Sequence, residues 1–113
     1  MTPLTTLEQY HDIRNTEKTY IIYKHSPTCS LSLKAMKEMQ TVESEKIIDI
    51  YIIDVLNTWN LKYDIETDLE IRHESPQVLI FKNTVLVEHA SHQSITSGRV
   101  RDTILGRNDT RNS

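Results

Sequence analysis

The feature that most constrains how this chain folds is residues 47–55, a long and almost continuously apolar run. Such a run is typical of a parallel strand that is covered on both faces. A second strand is predicted over residues 18–24, which are rich in β-branched and aromatic side chains. Between the two, residues 29–40 carry apolar side chains at helical spacing, namely Leu31, Ala35, Met36 and Met39. The sequence therefore predicts a strand–helix–strand unit with a right-handed parallel crossover.

The flanking residues predict one continuous domain over residues 1–106, followed by a polar tail, 107–113, that is expected to be disordered. Thr6 precedes a short amphipathic helix that begins at Leu7. A weaker helical pattern covers residues 58–70. The core contacts expected from this weaker helix are Trp59, Tyr63 and Ile65.

A β-hairpin and a final helix complete the predicted domain. Residues 77–81 and 84–89 are predicted strands, and Asn83 between them tolerates the positive φ of a tight turn. The final helix is expected to end at Gly106. The element order α-β-α-β-α-β-β-α predicts a thioredoxin-like three-layer α/β/α sandwich whose central mixed sheet has about four strands.

The charge balance and the cysteine count exclude several classes of protein. The 13 basic and 16 acidic residues give a formal net charge of −3, which argues against a primary role in nucleic-acid binding. A single cysteine, Cys29, excludes an internal disulfide and a zinc site built from several thiolates. The first residues lack the pattern of a signal peptide, and no apolar stretch has the length of a membrane span. We therefore expect a cytoplasmic protein without a metal site, in which the thiol stays reduced.

Cys29 is expected at the start of a helix, directly after a strand. Unpaired backbone N–H groups and the helix dipole favour a thiolate there. Lys24 and His25, just upstream, would add positive potential, and Thr28 is expected to cap the helix through its hydroxyl. Because the thiolate is the form that attacks a disulfide sulfur, this position indicates thiol–disulfide exchange. The alternative is an inert, buried cysteine that packs as a small apolar residue.

Ser32 stands three residues after Cys29, on the same face of the predicted helix. Its hydroxyl is expected to donate a hydrogen bond to the sulfur, but it cannot act as a resolving thiol. A dithiol mechanism that ends in an internal disulfide is therefore excluded for this chain. The alternative is a serine that is simply solvated on the helix surface.

A second candidate site is the Ser75–Pro76 step, just before the predicted strand over 77–81. Proline at this point predicts a rigid turn, and its place in the inferred fold favours a cis peptide over the ordinary trans form. A cis peptide would present the Ser75 backbone to an extended peptide or thiol substrate. The loops that contain Arg72 and His25 should meet at this edge, which makes both residues candidates for substrate contact. The other histidines of these segments are interpreted as ordinary exposed or strand-end residues: His73, His89 and His92.

Three segments carry a specific resemblance to a known family. They are His-Ser-Pro-Thr-Cys-Ser-Leu-Ser at 25–32, Arg-His-Glu-Ser-Pro-Gln-Val-Leu-Ile-Phe at 72–81, and His-Ala-Ser-His-Gln-Ser-Ile-Thr at 89–96. Together they resemble the monothiol bacilliredoxins, thioredoxin-fold proteins of the bacillithiol system in Firmicutes. One departure is Ser30, because members of this family commonly carry proline straight after the cysteine. This difference is expected to alter how the chain enters the helix beside Cys29.

The resemblance implies an activity and a set of partners. Cys29 matches the active cysteine of the family, and Ser75–Pro76 matches the cis-proline step of the thioredoxin fold. The protein would remove bacillithiol from S-bacillithiolated client proteins, with bacillithiol as co-substrate and no tightly bound cofactor. Bacillithiol carries malate carboxylates, which would suit Arg72 and Lys24. We expect a monomer that forms a Cys29-linked dimer on oxidation.

Two other functions remain open at this point. One is an iron–sulfur cluster carrier resembling the monothiol glutaredoxins, in which a single cysteine per subunit and an exogenous thiol hold the cluster. Brown purified protein would favour that function. The other is a redox-inactive adaptor with a thioredoxin fold, whose Cys29 would react no faster than a free cysteine.

Overall fold

One mixed sheet carries the five strands found in the residues that the computed structural model describes, which are 1–16, 18–58 and 60–106. In chain order the strands are β1 (Thr2–Pro3), β2 (Tyr20–His25), β3 (Asp49–Asp54), β4 (Gln77–Lys82) and β5 (Val85–Ser91). Their spatial order is β1-β3-β2-β4-β5. β1, β3 and β2 are parallel, whereas β4 runs antiparallel to both β2 and β5. The apolar run therefore forms an interior strand, as predicted.

Helices cover both faces of this sheet. They are α1 (Leu7–Arg14), α2 (Ser30–Ser44), α3 (Leu61–Leu69) and α4 (Ser97–Ile104), and a short 3-10 turn, His92–Ser94, follows β5. One core lies between the sheet and the pair α2 and α4, and it contains Ile21, Tyr23, Ala35, Met39, Val42, Ile50, Val78, Ile80, Ala90, Ile95 and Val100. The other lies between the sheet and the pair α1 and α3, and it contains Leu4, Tyr10, Tyr20, Ile22, Ile53, Val55, Leu61, Ile65, Leu79 and Phe81. The predicted three-layer α/β/α sandwich is confirmed.

The sheet has five strands rather than the predicted four, because β1 escapes sequence analysis. β1 pairs with β3 over only two residues, Thr2 and Pro3, and two residues are too few to show an alternating pattern. The hairpin turn is confirmed, since Asn83 has a φ of 51°. None of the helices in the described ranges is long and apolar enough to cross a membrane.

The predicted helix over 58–70 is shorter than expected. It begins at Leu61 and ends at Leu69, because Thr58 instead donates its hydroxyl hydrogen bond to the Asp54 carbonyl in the preceding turn, at 2.7 Å. Ile65 is buried as predicted, but Tyr63 is 48% exposed, so its assignment to the core is wrong. Two predictions, the core contact of Trp59 and the disordered tail 107–113, concern parts of the chain outside the described residues.

Candidate active site

Cys29 lies at the junction between β2 and α2, where it is the N-cap residue of the helix. Its backbone is extended, with φ −98° and ψ 128°. The Cys29 carbonyl accepts hydrogen bonds from the amides of Ser32 and Leu33, at 3.0 and 3.3 Å. The side chain is partly exposed. Cys29 therefore stands at a helix start, where free backbone N–H groups favour negative charge, and its side chain is partly open to solvent.

The prediction that Thr28 caps α2 is wrong. The helix begins one residue later than that prediction requires, so the cap position falls on Cys29, which makes no side-chain capping hydrogen bond. Thr28 is exposed on the loop. It remains next to the sulfur in sequence, but the start of the helix does not depend on its hydroxyl.

Ser32 stabilises the loop that leads to Cys29. Its side chain is completely buried, and its Oγ accepts a hydrogen bond from the Ser26 amide at 3.2 Å. This contact replaces the predicted hydrogen bond to the sulfur, and the burial also excludes a solvated serine. Because Ser26 and Ser32 lie on either side of Cys29, the bond fixes the loop against the first turn of the helix.

Tyr23 is a buried phenol near Cys29 that sequence analysis did not single out. Its Oη lies 2.9 Å from His25 Nδ1 and 3.3 Å from the Ser32 carbonyl oxygen. Burial raises the pKa of Tyr23, and the negative charge of Cys29 acts in the same direction. Burial lowers the pKa of His25, while the Asp54 carboxylate opposes that shift. At neutral pH, then, a neutral phenol and a neutral imidazole form a hydrogen-bonded pair near Cys29.

Ser75 and Pro76 lie at the same edge of the sheet as His25. Lys24 of β2 is paired with Gln77 of β4, so the residues just before Gln77 stand opposite the loop that leads to Cys29. The Ser75–Pro76 peptide bond is cis, as predicted. From the other side, the His92 amide donates a hydrogen bond to the Pro76 carbonyl at 3.1 Å. The sheet therefore gathers three loops at one edge, those around residues 25–29, 72–76 and 91–94.

Arg72 is exposed on the middle loop of these three. A hydrogen bond with Ser91 lowers the pKa of Glu74, and the charges of His92, Arg72 and His89 act in the same direction. The predicted meeting of the Arg72 and His25 loops at one edge is consistent with the register of β2 and β4, in which Lys24 is paired with Gln77.

Lys24 does not provide the accessible positive charge that the sequence suggests. Its side chain is 1% exposed, and its Nζ lies 3.2 Å from His73 Nδ1. Burial lowers the pKa of Lys24 to about 8, against the attraction of the Glu66 and Glu74 carboxylates. The proposed contact between Lys24 and a substrate carboxylate is therefore wrong, because the ammonium is enclosed on the α3 side of the sheet.

His73 is also more than an ordinary strand-end histidine. Burial lowers its pKa to about 4, and the charges of Lys24 and Lys62 act in the same direction against Glu66 and Glu74. At neutral pH the ring is neutral, so its Nδ1 accepts from the Lys24 ammonium. Sequence analysis missed this pair; a charged residue, Lys24, inside a predicted strand is the signal that could have indicated a buried polar contact.

Comparison with known proteins identifies the family. The sequence profile of the monothiol bacilliredoxin BrxC matches residues 2–100. The chain belongs to the monothiol bacilliredoxin family. Within the described part of the chain, no group of three or more histidine, cysteine, aspartate or glutamate side chains is arranged to hold a metal ion.

Solved structures confirm the fold of this bacilliredoxin. It is similar to a proposed oxidoreductase with a thioredoxin fold, with a TM-score of 0.84, 26% identity, and coverage of 89% of this chain and 90% of the other. Thioredoxin from Trypanosoma brucei brucei gives a TM-score of 0.74 at 14% identity, over 100% and 92% of the two chains. Thioredoxin from Fasciola hepatica gives 0.73 at 14% identity, over 95% and 99%. The family and the fold together support a redox role as a thiol–disulfide oxidoreductase.

Proposed function

We propose that this protein removes bacillithiol from S-bacillithiolated client proteins by monothiol exchange at Cys29. The observation that carries the proposal is the position of the single cysteine. Cys29 is partly exposed at the start of α2, at the sheet edge that also carries Ser75 and Pro76. The family match supports bacillithiol as the small thiol of the reaction.

The proposed reaction has two exchanges. In the first, the Cys29 thiolate attacks the bacillithiol sulfur of the client's mixed disulfide, a Cys29–bacillithiol disulfide forms, and the client cysteine leaves as a thiolate. In the second, the thiolate of another bacillithiol attacks the adduct at the bacillithiol sulfur. Cys29 leaves as a thiolate, and oxidised bacillithiol is released. Each step breaks one disulfide and forms one, so no further oxidant or reductant is needed.

The surrounding residues have distinct proposed roles. The first turn of α2 stabilises Cys29 as the leaving group of the second exchange. The backbone of Ser75 aligns an extended client segment, and Pro76 keeps that backbone open to it. Arg72, exposed on the same loop, binds the malate carboxylates of bacillithiol, a charge-assisted contact. His25 and Thr28 line the approach to the sulfur, and Ser32 supports the loop from inside.

Mass spectrometry of protein treated with oxidised bacillithiol tests the proposal. We expect one bacillithiol-sized mass increment on Cys29, its removal by reduced bacillithiol, and no increment on Cys29→Ser. Turnover of a bacillithiolated client should be lost in the same variant. Cys29 that stays unmodified would refute the proposal. Visible absorbance of the purified protein, lost in Cys29→Ser, would instead indicate the iron–sulfur carrier.

A further inference from the structure

Four polar side chains, three from different elements and one from the loop that ends in Pro76, meet below that loop. Lys24 comes from β2, Glu66 from α3, Gln77 from β4, and His73 from the loop itself. Lys24 and Gln77 are each 1% exposed. Buried polar groups at this density are costly unless they are hydrogen-bonded, so the contacts that each one makes indicate what the cluster does.

Three hydrogen bonds of the cluster end at the same short stretch, residues 72 and 73, and Gln77 Nε2 also lies 3.5 Å from Ser91 Oγ. Lys24 Nζ reaches His73 Nδ1 at 3.2 Å. The Glu66 carboxylate accepts from the His73 amide at 2.6 Å, and Gln77 Nε2 donates to the Arg72 carbonyl at 3.1 Å. The loop is therefore held at residues 72 and 73, two residues before Ser75 and Pro76.

Lys24 has the central place in this cluster. Strand alternation turns Tyr23 towards the α2 side and Lys24 towards the α3 side, and the attraction of Glu66 for the ammonium adds to the direct contact with His73. The ammonium thus stabilises both the ring of His73 and the carboxylate that binds the His73 amide. Cys29 lies beyond the opposite face of β2, next to Tyr23.

We propose that Lys24 is a positioning residue: through His73 it fixes the loop over 72–76, and it thereby sets the affinity for the client protein rather than the reactivity of Cys29. The inference rests on the proposed function for its effect on turnover. Its effect on the loop does not depend on that function. Without Lys24 the loop keeps the bond from Gln77 to the Arg72 carbonyl and the bond from the His73 amide to Glu66. The His73 ring, however, loses its contact with the ammonium, and Glu66 loses the charge that attracts it. Ser75 would then be presented in several arrangements, only some of which bind a client.

Two measurements on Lys24→Met test the proposal. Methionine keeps the length of the side chain and removes the ammonium. We expect amide hydrogen exchange of His73, followed by NMR, to become at least tenfold faster relative to the amides of β3. With a bacillithiolated client we expect KM to rise about tenfold, whereas kcat and the rate of Cys29 alkylation by iodoacetamide stay within twofold of the wild type. A purely structural defect would slow alkylation or speed exchange throughout the sheet.

Two further variants keep the result interpretable. Lys82→Met, at the far end of β4, is the matched control and should leave every value unchanged. His73→Leu removes the acceptor while Lys24 stays, and the double variant should raise KM no further than the worse single variant, since both changes break one contact. Wild-type exchange and KM in Lys24→Met would overturn the proposal, as would a lower alkylation rate at unchanged KM. Failure of the proposed function would instead show as absent wild-type turnover, while the exchange data would still decide the role of Lys24.

Discussion

In the proposed function, Arg72 recognises bacillithiol and takes no part in the thiol exchange. It lies on the loop that presents Ser75, and its charge reaches Glu74 on the same loop. A guanidinium suits a carboxylate pair because it donates in a planar fork. Binding of the malate group therefore belongs to Arg72 in the proposed function, whereas the exchange itself belongs to Cys29.

Replacing Arg72 with alanine should weaken turnover in a manner that depends on the small thiol. For a client carrying bacillithiol we expect kcat/KM to fall about fivefold to tenfold, the value of roughly 1–1.4 kcal/mol for one charge-assisted contact near the surface. The same client carrying 2-mercaptoethanol, which has no carboxylate, should react at the wild-type rate. Arg72→Lys, which keeps the charge, should recover part of the loss. Equal losses with both adducts would contradict the assignment.

Lys24 shows the energetic cost of a buried positioning group. An ammonium removed from water favours its neutral form, and the pKa of about 8 in the folded protein lies below the ordinary value of about 10.4 that holds in the unfolded chain. Between these two values the unfolded chain binds a proton that the folded protein does not. Burial of the charged ammonium therefore lowers the free energy of unfolding below pH 8, and this loss diminishes as the pH rises above 8.

The cost of burying the ammonium predicts that Lys24→Met affects stability and client binding in opposite directions. Between pH 7 and pH 10, the free energy of unfolding of the wild type should rise by roughly 2–3 kcal/mol relative to that of Lys24→Met. Urea denaturation at a series of pH values measures it, and Lys82→Met provides the control. A difference that does not change with pH would mean that Lys24 keeps its ordinary pKa in the folded protein.

At the scale of elements, α1 begins with a threonine cap and α2 does not. Thr6 forms a capping box: its Oγ1 accepts from the Gln9 amide at 3.1 Å, and Gln9 Oε1 accepts from the Thr6 amide at 3.2 Å. Thr28 makes no such pair, because Cys29 occupies the cap position of α2. The start of α2 is thus held by the Ser26–Ser32 bond and by backbone contacts, and the Cys29 thiol makes no capping hydrogen bond.

Alanine substitutions at Thr6 and at Thr28 test this difference between the starts of α1 and α2. Thr6→Ala should lower the free energy of unfolding by about 1 kcal/mol, since it removes one half of a capping box. Thr28→Ala should change it by less than about 0.5 kcal/mol, as expected for an exposed residue without a capping role. Both values come from urea or thermal unfolding at pH 7. A loss at Thr28 that matches the loss at Thr6 would restore the capping role that the sequence predicts.

At the scale of the whole molecule, the order of the elements was predictable and the pairing of buried polar groups was not. The apolar run of β3 and the helical spacing of α2 depend on neighbouring residues, so both are visible in the sequence. The contact between Lys24 and His73 joins residues 49 positions apart. It depends on the register of β2 with β4, and a strand buried on both faces shows no alternation that would reveal which side Lys24 faces.

The same limit applies to the cysteine. Its place at a helix start follows from the local sequence, and so does the proline step before β4. The neighbours Tyr23 and Ser32 turn inward only because α2 packs on the sheet, which no local pattern shows. The short strand β1 also depends on tertiary structure, because it forms by pairing with the edge of β3. The sequence therefore predicts the position of Cys29 and the order of the elements, whereas tertiary packing determines which side chains, such as Tyr23 and Ser32, surround it.

Two half-buried histidines, His25 and His73, give the whole molecule a predictable response to acid. The pKa of His73 is lowered to about 4, and the pKa of His25 is lowered as well, in both cases chiefly by burial. Below the ordinary value of about 6.5, the unfolded chain takes up protons at both residues more readily than the folded protein does. Stability should therefore fall as the pH drops from about 6.5 towards 5, by at most about 1.4 kcal/mol per pH unit and histidine, and by less because water screens these half-buried rings.

Carboxylates act in a lower range of pH and do not obscure this effect. Hydrogen bonds from Arg101 and with Ser91 lower the pKa of Glu45 and of Glu74, so their contribution is lost only below the ordinary value of about 4.3. The double variant His25→Gln/His73→Gln should lose most of the slope between pH 6.5 and pH 5 in urea denaturation. His11→Gln, at an exposed position on α1, should keep it. A slope that survives in the double variant would show that other groups bind the protons, and that burial at the sheet edge does not govern the acid response of this protein.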